Sequence, residues 1–204
     1  TKDYSGNKYD GVNYGATVVQ GLGNKLAYEF DGNSYIYNPD IFIDSDPIFT
    51  VCGWFKRTGS WSGGSLWGIG TSGNAISTYQ TSGGEARIGF DKYGSTTYYA
   101  STTINLNEWH FITWIKKAKG IFNSSILDIY IDGNLTTLTQ QRNNSTTANV
   151  TAGFTLGRVA YNNSFYSTQS CMQNLRIYNR ALSPQEISWL YDMYNPNKNT
   201  GAKV

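Results

Sequence analysis

The sequence predicts an all-β protein, a sandwich or barrel of short antiparallel strands with one helix near the C-terminus. Short runs of alternating apolar and polar residues, bounded by Gly, Asn, Asp or Ser, recur along most of the 204 residues. Eleven such runs accompany a single convincing helical segment, which is typical of all-β domains. The predicted strands are 26–30, 35–37, 49–56, 65–70, 76–80, 86–90, 96–103, 109–117, 127–132, 154–159 and 172–179.

The run FTVCGWFKR at 49–57 predicts a central strand. Side chains alternate between the two faces of a strand, so Cys52 and Trp54 point one way while Phe49, Val51 and Phe55 point the other way. Both faces therefore carry bulky apolar groups. This pattern indicates a strand that is covered on both sides in the middle of a sheet.

The one predicted helix covers residues 183–191. Ser183 is a suitable N-cap, Pro184 fits the first helical position, and Glu186 completes a capping box three residues after the cap. The polar sequence NPNKNTGAKV follows. We therefore predict one domain over residues 1–194 and a flexible tail or linker over 195–204.

Composition argues against several classes of function. Charged residues make up 15% of the chain and the net charge is +2, without a dense basic run, so a nucleic-acid partner is not expected. The sequence has no apolar run of the roughly 20 residues that a membrane span needs. Aromatic residues reach 15%, including 16 tyrosines, so the surface is expected to be rich in Tyr, Ser, Thr and Asn. Such a surface suits neutral polar ligands, of which sugars are one example.

Cys52 and Cys171 both fall inside apolar strand-like runs. Two buried free thiols are the favoured interpretation. A disulfide stays open as the alternative, and it would require the two strands to be neighbours with Cα atoms within about 7 Å.

Three segments of the chain together resemble the laminin-G-like jelly-roll family, whose members are also similar to pentraxins. The first is DYSGNKYDGVNYGATVVQGLGNKLAYEFDGNSYI; the second comprises FTVCGWFKR, NEWHFITWIKK and LDIYIDGN in that order; the third is MQNLRIYNRALSPQEISWLY. The resemblance runs from about Asp3 to Tyr194. It implies a two-sheet antiparallel jelly-roll sandwich of the concanavalin-A-like type, with one short C-terminal helix.

The carboxylates give little support to catalysis. Glycosidases with this fold use two acids close together on one strand, about 5 Å apart, and no such pair of glutamates occurs. Asp128 and Asp132 share a strand face, but Asp132 belongs to an Asp-Gly turn. The lone histidine, His110, is interpreted as a structural residue of a strand. We therefore expect no enzyme activity, and a glycosidase of the same fold remains an alternative.

Calcium is the cofactor that the resemblance raises, since relatives of this fold commonly bind it. In the loop LGRVAYNNSF, Arg158 and its neighbours replace the acids and amides that pentraxin-like members place there. A calcium site built from turn residues stays possible, because hard cations prefer carboxylate and carbonyl oxygens. The candidate ligands are Asp31, Asn33, Asp44 and Asp46.

Exposed aromatic and amide side chains are the predicted ligand contacts, because sugar rings stack on aromatic faces and hydrogen-bond to amides and hydroxyls. The candidates are Trp61, Tyr98, Tyr99, Tyr161, Asn162, Asn163 and Tyr166. The leading hypothesis is a non-catalytic carbohydrate-binding or adhesive module of a larger extracellular or virion-surface protein, with a glycan or glycoprotein surface as partner. The alternative is a structural decoration or assembly domain without a small ligand, which would contact other subunits of a larger assembly.

Overall fold

The computed structural model describes residues 1–42, 44–59, 64–70, 75–80, 87–92, 96–142, 147, 149–161, 164–195 and 198. Seventeen strands and one α-helix occur in these ranges. In the first half of the chain the strands are β1 (Val12–Tyr14), β2 (Thr17–Gln20), β3 (Leu26–Asp31), β4 (Tyr35–Asn38), β5 (Phe49–Arg57), β6 (Trp67–Ile69), β7 (Ile76–Gln80), β8 (Arg87–Lys92) and β9 (Thr96–Thr103). In the second half they are β10 (Trp109–Lys116), β11 (Leu127–Ile131), β12 (Asn134–Leu135), β13 (Leu138–Arg142), β14 (Phe154–Leu156), β15 (Arg158–Tyr161), β16 (Ser164–Ser167) and β17 (Gln169–Tyr178), followed by α1 (Pro184–Tyr194).

Two large antiparallel sheets form the sandwich that the sequence predicts. The eight-stranded sheet has the order β1-β4-β14-β6-β7-β8-β9-β13, and the seven-stranded sheet has the order β12-β11-β10-β5-β17-β3-β2. A separate hairpin consists of β15 and β16. With its single C-terminal helix, this architecture is a jelly-roll sandwich, as expected.

Strand β5 confirms the prediction of a central, doubly covered strand. It pairs with β10 on one side and with β17 on the other. Phe49, Val51 and Phe55 belong to the core between the sheets. Cys52 and Trp54 belong to a second cluster on the opposite face of the same sheet.

The main core is an aromatic cluster that joins the two sheets. Trp67 of the eight-stranded sheet meets Trp114 of the seven-stranded sheet edge to face, with ring centroids 5.6 Å apart. Phe49 approaches Trp67 in the same way, with centroids 5.9 Å apart. Such pairs contribute about 0.5–1.5 kcal/mol beyond their area burial, so they fix the sheets against each other.

Helix α1 covers the outer face of the seven-stranded sheet. The predicted capping box is present, since the backbone N–H of Glu186 donates to Ser183 Oγ and the Glu186 side chain accepts from the backbone of Ser183. Ile187 and Leu190 are buried in the second cluster. The helix extends to Tyr194, three residues beyond the predicted end.

Several strand predictions need correction. The sequence predicted one strand over 154–159, but the chain turns at Gly157, whose φ of +84° favours glycine, and β14 and β15 belong to different sheets. Strands β1, β2, β12, β13 and β16 were not predicted. Each is short, and β1, β2, β12 and β13 carry mostly exposed side chains that lack a clear alternation.

Both cysteines are buried free thiols, as the favoured interpretation held. In the β5–β17 register Cys52 lies opposite Arg176, whereas Cys171 lies opposite Lys56. Four residues along a strand span roughly 13 Å, which no disulfide bridges. Burial raises the pKa of the Cys52 thiol to about 12, so this thiol stays protonated and unreactive.

The division into a domain over 1–194 and a tail over 195–204 stays a prediction, because the structure describes only Asn195 and Lys198 of the tail. Among the described residues, no helix has the length and apolar character required to cross a bilayer.

Candidate functional site

Two of the predicted ligand contacts are buried, which corrects their expected surface position. Tyr98 is 4% exposed and packs in the core between the sheets. Tyr99 is 3% exposed and points to the opposite face of β9, where its hydroxyl donates a hydrogen bond of 2.5 Å to Gln141 Oε1. Neither residue offers an exposed ring face to a ligand.

The other five predicted contacts stay predictions. Trp61, Asn162 and Asn163 lie outside the described residues. The backbones of Tyr161 and Tyr166 lie in β15 and β16, which pair as a hairpin, and their side chains are outside the described part of the structure.

The β15–β16 hairpin lies against the outer face of the eight-stranded sheet, the face turned away from the core. Val159 packs on the backbone of Gly68 in β6, so closely that a Cβ on Gly68 would come within 2.6 Å of it. Gly157 donates from its backbone N–H to the carbonyl of Leu66. On the other strand, at the same open end of the hairpin, Ser167 Oγ donates to the carbonyl of Gly32. These contacts anchor the hairpin from both of its strands.

Three tyrosines and one arginine gather beside this hairpin, and we call them the tyrosine platform: Tyr14, Tyr35, Tyr37 and Arg158. Ile36 of β4 points into the core, so its neighbours Tyr35 and Tyr37 point to the outer face. Tyr14 of β1 lies directly opposite Tyr35 in the register. Their rings stack with centroids 4.4 Å apart and an interplanar angle of 9°.

Arg158 completes the stack on the side of β14. Its guanidinium carbon lies 3.1 Å from the ring centroid of Tyr35. Burial lowers the pKa of Arg158, while a hydrogen bond to Tyr35 raises it. Three planar groups from β1, β4 and β15 therefore form one stack, and Tyr14 at its outer end is 45% exposed.

Local turns hold the two platform strands in place. The side chain of Asn13 donates to the carbonyl of Ala16 and accepts from its N–H, which fixes the turn after β1. The Asp31 carboxylate accepts from the N–H groups of Asn33 and Ser34 and fixes the turn before β4. These hydrogen bonds lower the pKa of Asp31, because they favour its charged form.

A row of small and polar residues crosses the outer face from the platform to the far side of the sheet, and we call it the polar row. Its members are in direct register from strand to strand: Tyr37, Thr155, Gly68, Ser77, Asp91 and Thr97. Four members of the polar row are buried polar side chains: Thr155, Ser77, Asp91 and Thr97. The exposed part of the row is therefore its platform end.

Asp91 is the most unusual member of the polar row. It is 4% exposed, and its carboxylate accepts a hydrogen bond of 2.7 Å from Thr97 Oγ1. Burial raises the pKa of Asp91 to about 6, against the lowering effects of Thr97 and Arg142.

Two of the four candidate calcium ligands, Asp46 and Asp44, form ion pairs with lysines. Lys116 Nζ, fully buried, lies 2.6 Å from Asp46 Oδ1, and Lys119 Nζ lies 2.6 Å from Asp44 Oδ2. Asp46 also accepts from the backbone N–H of Gly120. Lysine ammonium groups thus already supply the positive charge that a calcium ion would bring.

The remaining calcium candidates, Asp31 and Asn33, belong to the turn before β4, where the Asp31 carboxylate is engaged by backbone N–H groups. A calcium ion needs several oxygens that converge on it. Within the described ranges no three Asp, Glu, His or Cys side chains form a metal-ligand group. Calcium binding at Asp31 and Asn33, or at Asp44 and Asp46, therefore stays a prediction from the sequence.

The carboxylates considered for catalysis also have partners. Asp128 Oδ1 lies 2.8 Å from Lys117 Nζ. Asp132 accepts from the backbone N–H of Phe111, and its Oδ2 lies 2.8 Å from Nδ1 of His110. Both acids thereby hold neighbouring strand residues, and the interpretation of His110 as a structural residue stays a prediction.

Sequence reasoning missed the platform residues as a set. Arg158 was noted only as a departure from the pentraxin-like pattern. Tyr35 and Tyr37 alternate with the apolar Ile36, which is a usable signal for one shared face. The contribution of Tyr14 depends on β1, a three-residue edge strand that the sequence did not reveal.

A family model for the concanavalin A-like lectin/glucanases superfamily matches residues 30–188 of this chain. No curated protein sequence gives a match.

Solved structures share the fold at low sequence identity. Domain 4 of AbnA, a GH43 extracellular arabinanase from Geobacillus stearothermophilus in complex with arabinotriose, is 20% identical over 86% of this chain and 81% of that domain, with a TM-score of 0.62. A heptameric SAP-like pentraxin from Limulus polyphemus is 18% identical over 81% of both chains, with a TM-score of 0.57. The botulinum neurotoxin serotype C1 binding domain is 12% identical over 94% of this chain and 48% of the toxin domain, with a TM-score of 0.65.

Proposed function

Because this chain belongs to the concanavalin A-like lectin/glucanases superfamily, we propose that it is a non-catalytic module that binds carbohydrate at the tyrosine platform. The observation that carries the proposal is the Tyr14–Tyr35–Arg158 stack. An exposed aromatic face that is held flat by a second ring presents a surface on which a sugar ring packs at little entropic cost. The solved structure of the arabinanase domain with arabinotriose supports a sugar as the class of ligand.

The platform is also pre-organised. Tyr14 and Tyr35 are fixed by their register and by the turns at Asn13 and Asp31, and Arg158 is fixed by the anchored hairpin. A ligand that binds there does not have to order these side chains. The backbones of the predicted contacts Tyr161 and Tyr166 lie in the same hairpin, and their role as contacts stays a prediction.

We test the proposal by isothermal titration calorimetry with a panel of neutral oligosaccharides, arabinan and xylan fragments among them. We expect binding in the millimolar range or tighter. Tyr14→Ala should weaken it about tenfold, since one well-packed aromatic contact contributes on the order of 1.4 kcal/mol. Tyr14→Phe keeps the ring and should bind like the wild type.

Tyr4→Ala is the matched control, because Tyr4 is 93% exposed and lies outside the platform. Its affinity should equal that of the wild type. The proposal is wrong if no glycan binds in the millimolar range, or if Tyr14→Ala and Tyr4→Ala bind equally well.

The non-catalytic part of the proposal is tested at Asp91. Its raised pKa is a property of general acids, but a retaining glycosidase needs a second carboxyl about 5 Å away. The hydrogen bond to Thr97 and the burial of Asp91 support a structural role. We expect no release of reducing sugar from any ligand that binds. Hydrolysis that Asp91→Asn abolishes would make the protein a glycosidase instead.

We place the module outside the cell. The arabinanase whose domain shares the fold is extracellular, which supports this location. Attachment to a virion surface stays a prediction from the sequence.

A further inference from the structure

Arg57 is a buried arginine that has no charged partner among the described residues. It is the last residue of β5 and is 9% exposed. Alternate residues of a strand share a face, so Arg57 points to the same side as Val51 and Phe55, into the space between the sheets. Within the described ranges, no carboxylate forms an ion pair with it and its Nε has no hydrogen-bond acceptor.

The charge of Arg57 is costly to bury in this state. A buried ion loses its hydration, and only an opposite charge or several hydrogen bonds compensate for that loss. Burial lowers the pKa of Arg57, yet a guanidinium stays protonated in proteins. Glu108, the acid directly before β10, accepts a hydrogen bond of 2.9 Å from Asn105 Nδ2 instead. The described part of the chain therefore does not supply the compensating negative charge.

Two buried hydroxyls beside Arg57 also have no partner in the described residues. Ser170 of β17 lies directly opposite Arg57 in the register, so both side chains share the inner face, with Cβ atoms about 4.5–5.5 Å apart. Thr168 is two residues from Ser170, a spacing that places both side chains on one face of a strand. Both residues are fully buried, and neither hydroxyl makes a hydrogen bond. We call Arg57, Ser170 and Thr168 the Arg57 cluster.

The donors of the Arg57 cluster match a tetrahedral oxyanion. A planar guanidinium offers parallel N–H groups that take two oxygens of one anion. Each hydroxyl adds one O–H donor. A carboxylate has two oxygens, which the guanidinium fork already occupies. A sulfate or phosphate group has further oxygens for the two hydroxyls.

We propose that the Arg57 cluster binds a sulfate or phosphate group between the two sheets. The ligand chemistry is a tetrahedral oxyanion, either as a free ion or as an ester on a larger molecule. The tyrosine platform lies on the outer face of the eight-stranded sheet, whereas the Arg57 cluster lies on the inner face of the seven-stranded sheet. Anion binding at this cluster does not depend on the proposed carbohydrate function.

Isothermal titration calorimetry at constant ionic strength tests the proposal with sodium sulfate, sodium phosphate and sodium acetate. We expect sulfate or phosphate to bind in the millimolar range or tighter, and acetate to bind at least about tenfold more weakly because it leaves the hydroxyls unpaired. Galactose 6-sulfate and glucose 6-phosphate are the ester probes. An ester that binds more tightly than its free ion assigns the site to a larger molecule, and the reverse order assigns it to the free ion.

Variants assign the binding to the Arg57 cluster. Arg57→Met keeps a long side chain without the charge and should weaken sulfate binding at least about tenfold. In chloride buffer its urea midpoint should equal or exceed that of the wild type, because the variant removes a buried charge without a partner. Sulfate stabilises proteins in general, so Arg180→Met is the control, at an exposed arginine paired with Glu186. Its affinity for sulfate should match the wild type.

Ser170→Ala removes one donor and should weaken sulfate binding about fivefold, which keeps the test decisive if Arg57→Met does not fold. Three outcomes overturn the proposal: no binding of sulfate or phosphate in the millimolar range, acetate binding as tight as sulfate binding, or equal sulfate affinity in the wild type and the cluster variants. Tyr14→Ala should bind sulfate like the wild type. Failure of every glycan to bind would remove the proposed function and leave anion binding at the Arg57 cluster standing.

Discussion

Replacement of Tyr35 by alanine tests whether the tyrosine platform is a rigid stack, independently of any ligand. Tyr35 is the central member, with the Tyr14 ring on one side and the Arg158 guanidinium on the other. A stacked aromatic pair contributes about 0.5–1.5 kcal/mol beyond area burial, and a cation–π contact contributes about 0.5–2 kcal/mol. We therefore expect Tyr35→Ala to lower the free energy of unfolding by roughly 1–3.5 kcal/mol.

The assay is urea unfolding followed by tryptophan fluorescence, with linear extrapolation to water. Tyr4→Ala is the matched control, because it removes the same atoms from a side chain that is 93% exposed. Its effect should stay within about 0.5 kcal/mol. The double variant Tyr14→Ala/Tyr35→Ala should lose less than the sum of the two single variants, because both remove the same contact.

Equal unfolding midpoints for Tyr35→Ala and Tyr4→Ala would refute the reasoning. They would mean that the stack contributes nothing in solution and that the rings are not held for a ligand. Additive effects of Tyr14→Ala and Tyr35→Ala would contradict the direct contact in the same way.

Three further predictions concern other parts of the fold. Asp46→Ala leaves the fully buried ammonium of Lys116 without its carboxylate and should lower the free energy of unfolding in urea by about 3–5 kcal/mol. Asp44→Ala removes one partner of an exposed pair and should change the urea midpoint little. The pKa of Asp91 is raised from 3.8 to about 6, so the folded state binds this proton more tightly and the free energy of unfolding should fall as the pH rises between these values. Asp91→Asn should flatten this decline in urea midpoints measured from about pH 3.5 to 7. An unchanged slope would contradict the prediction. Ser183→Ala removes the N-cap of α1 and should lower the free energy of unfolding by about 1 kcal/mol, while an unaltered midpoint would show that the helix depends on packing alone.

Local patterns predicted the parts of the fold that local chemistry determines. The apolar groups on both faces of β5 and the Ser183–Glu186 capping box can each be found within a few residues, and both are present in the structure. Edge strands carry no such signal. All three residues of β1 are exposed, so nothing in their pattern distinguishes this strand from a loop.

The candidate site was less predictable, because it depends on pairing between distant segments. Tyr14 and Tyr35 meet only because β1 and β4 pair in one register, and Arg158 joins them only because the chain turns at Gly157. The adjacent residues Tyr98 and Tyr99 were wrongly predicted to be exposed. Tyr98 and Tyr99 point to opposite faces of β9, and both of these faces are covered.

The two outer faces of the sandwich have different roles, and this difference limits where a ligand can bind. Helix α1 packs apolar side chains such as Ile187 and Leu190 against the outer face of the seven-stranded sheet. The outer face of the eight-stranded sheet instead carries the polar row, whose side chains suit hydrogen-bonding groups. Since most of that row is buried, ligand access is concentrated at its platform end, where Tyr14 is exposed. A glycan that binds without contact to the platform would have to use the connecting loops, and Tyr14→Ala would then leave its affinity unchanged.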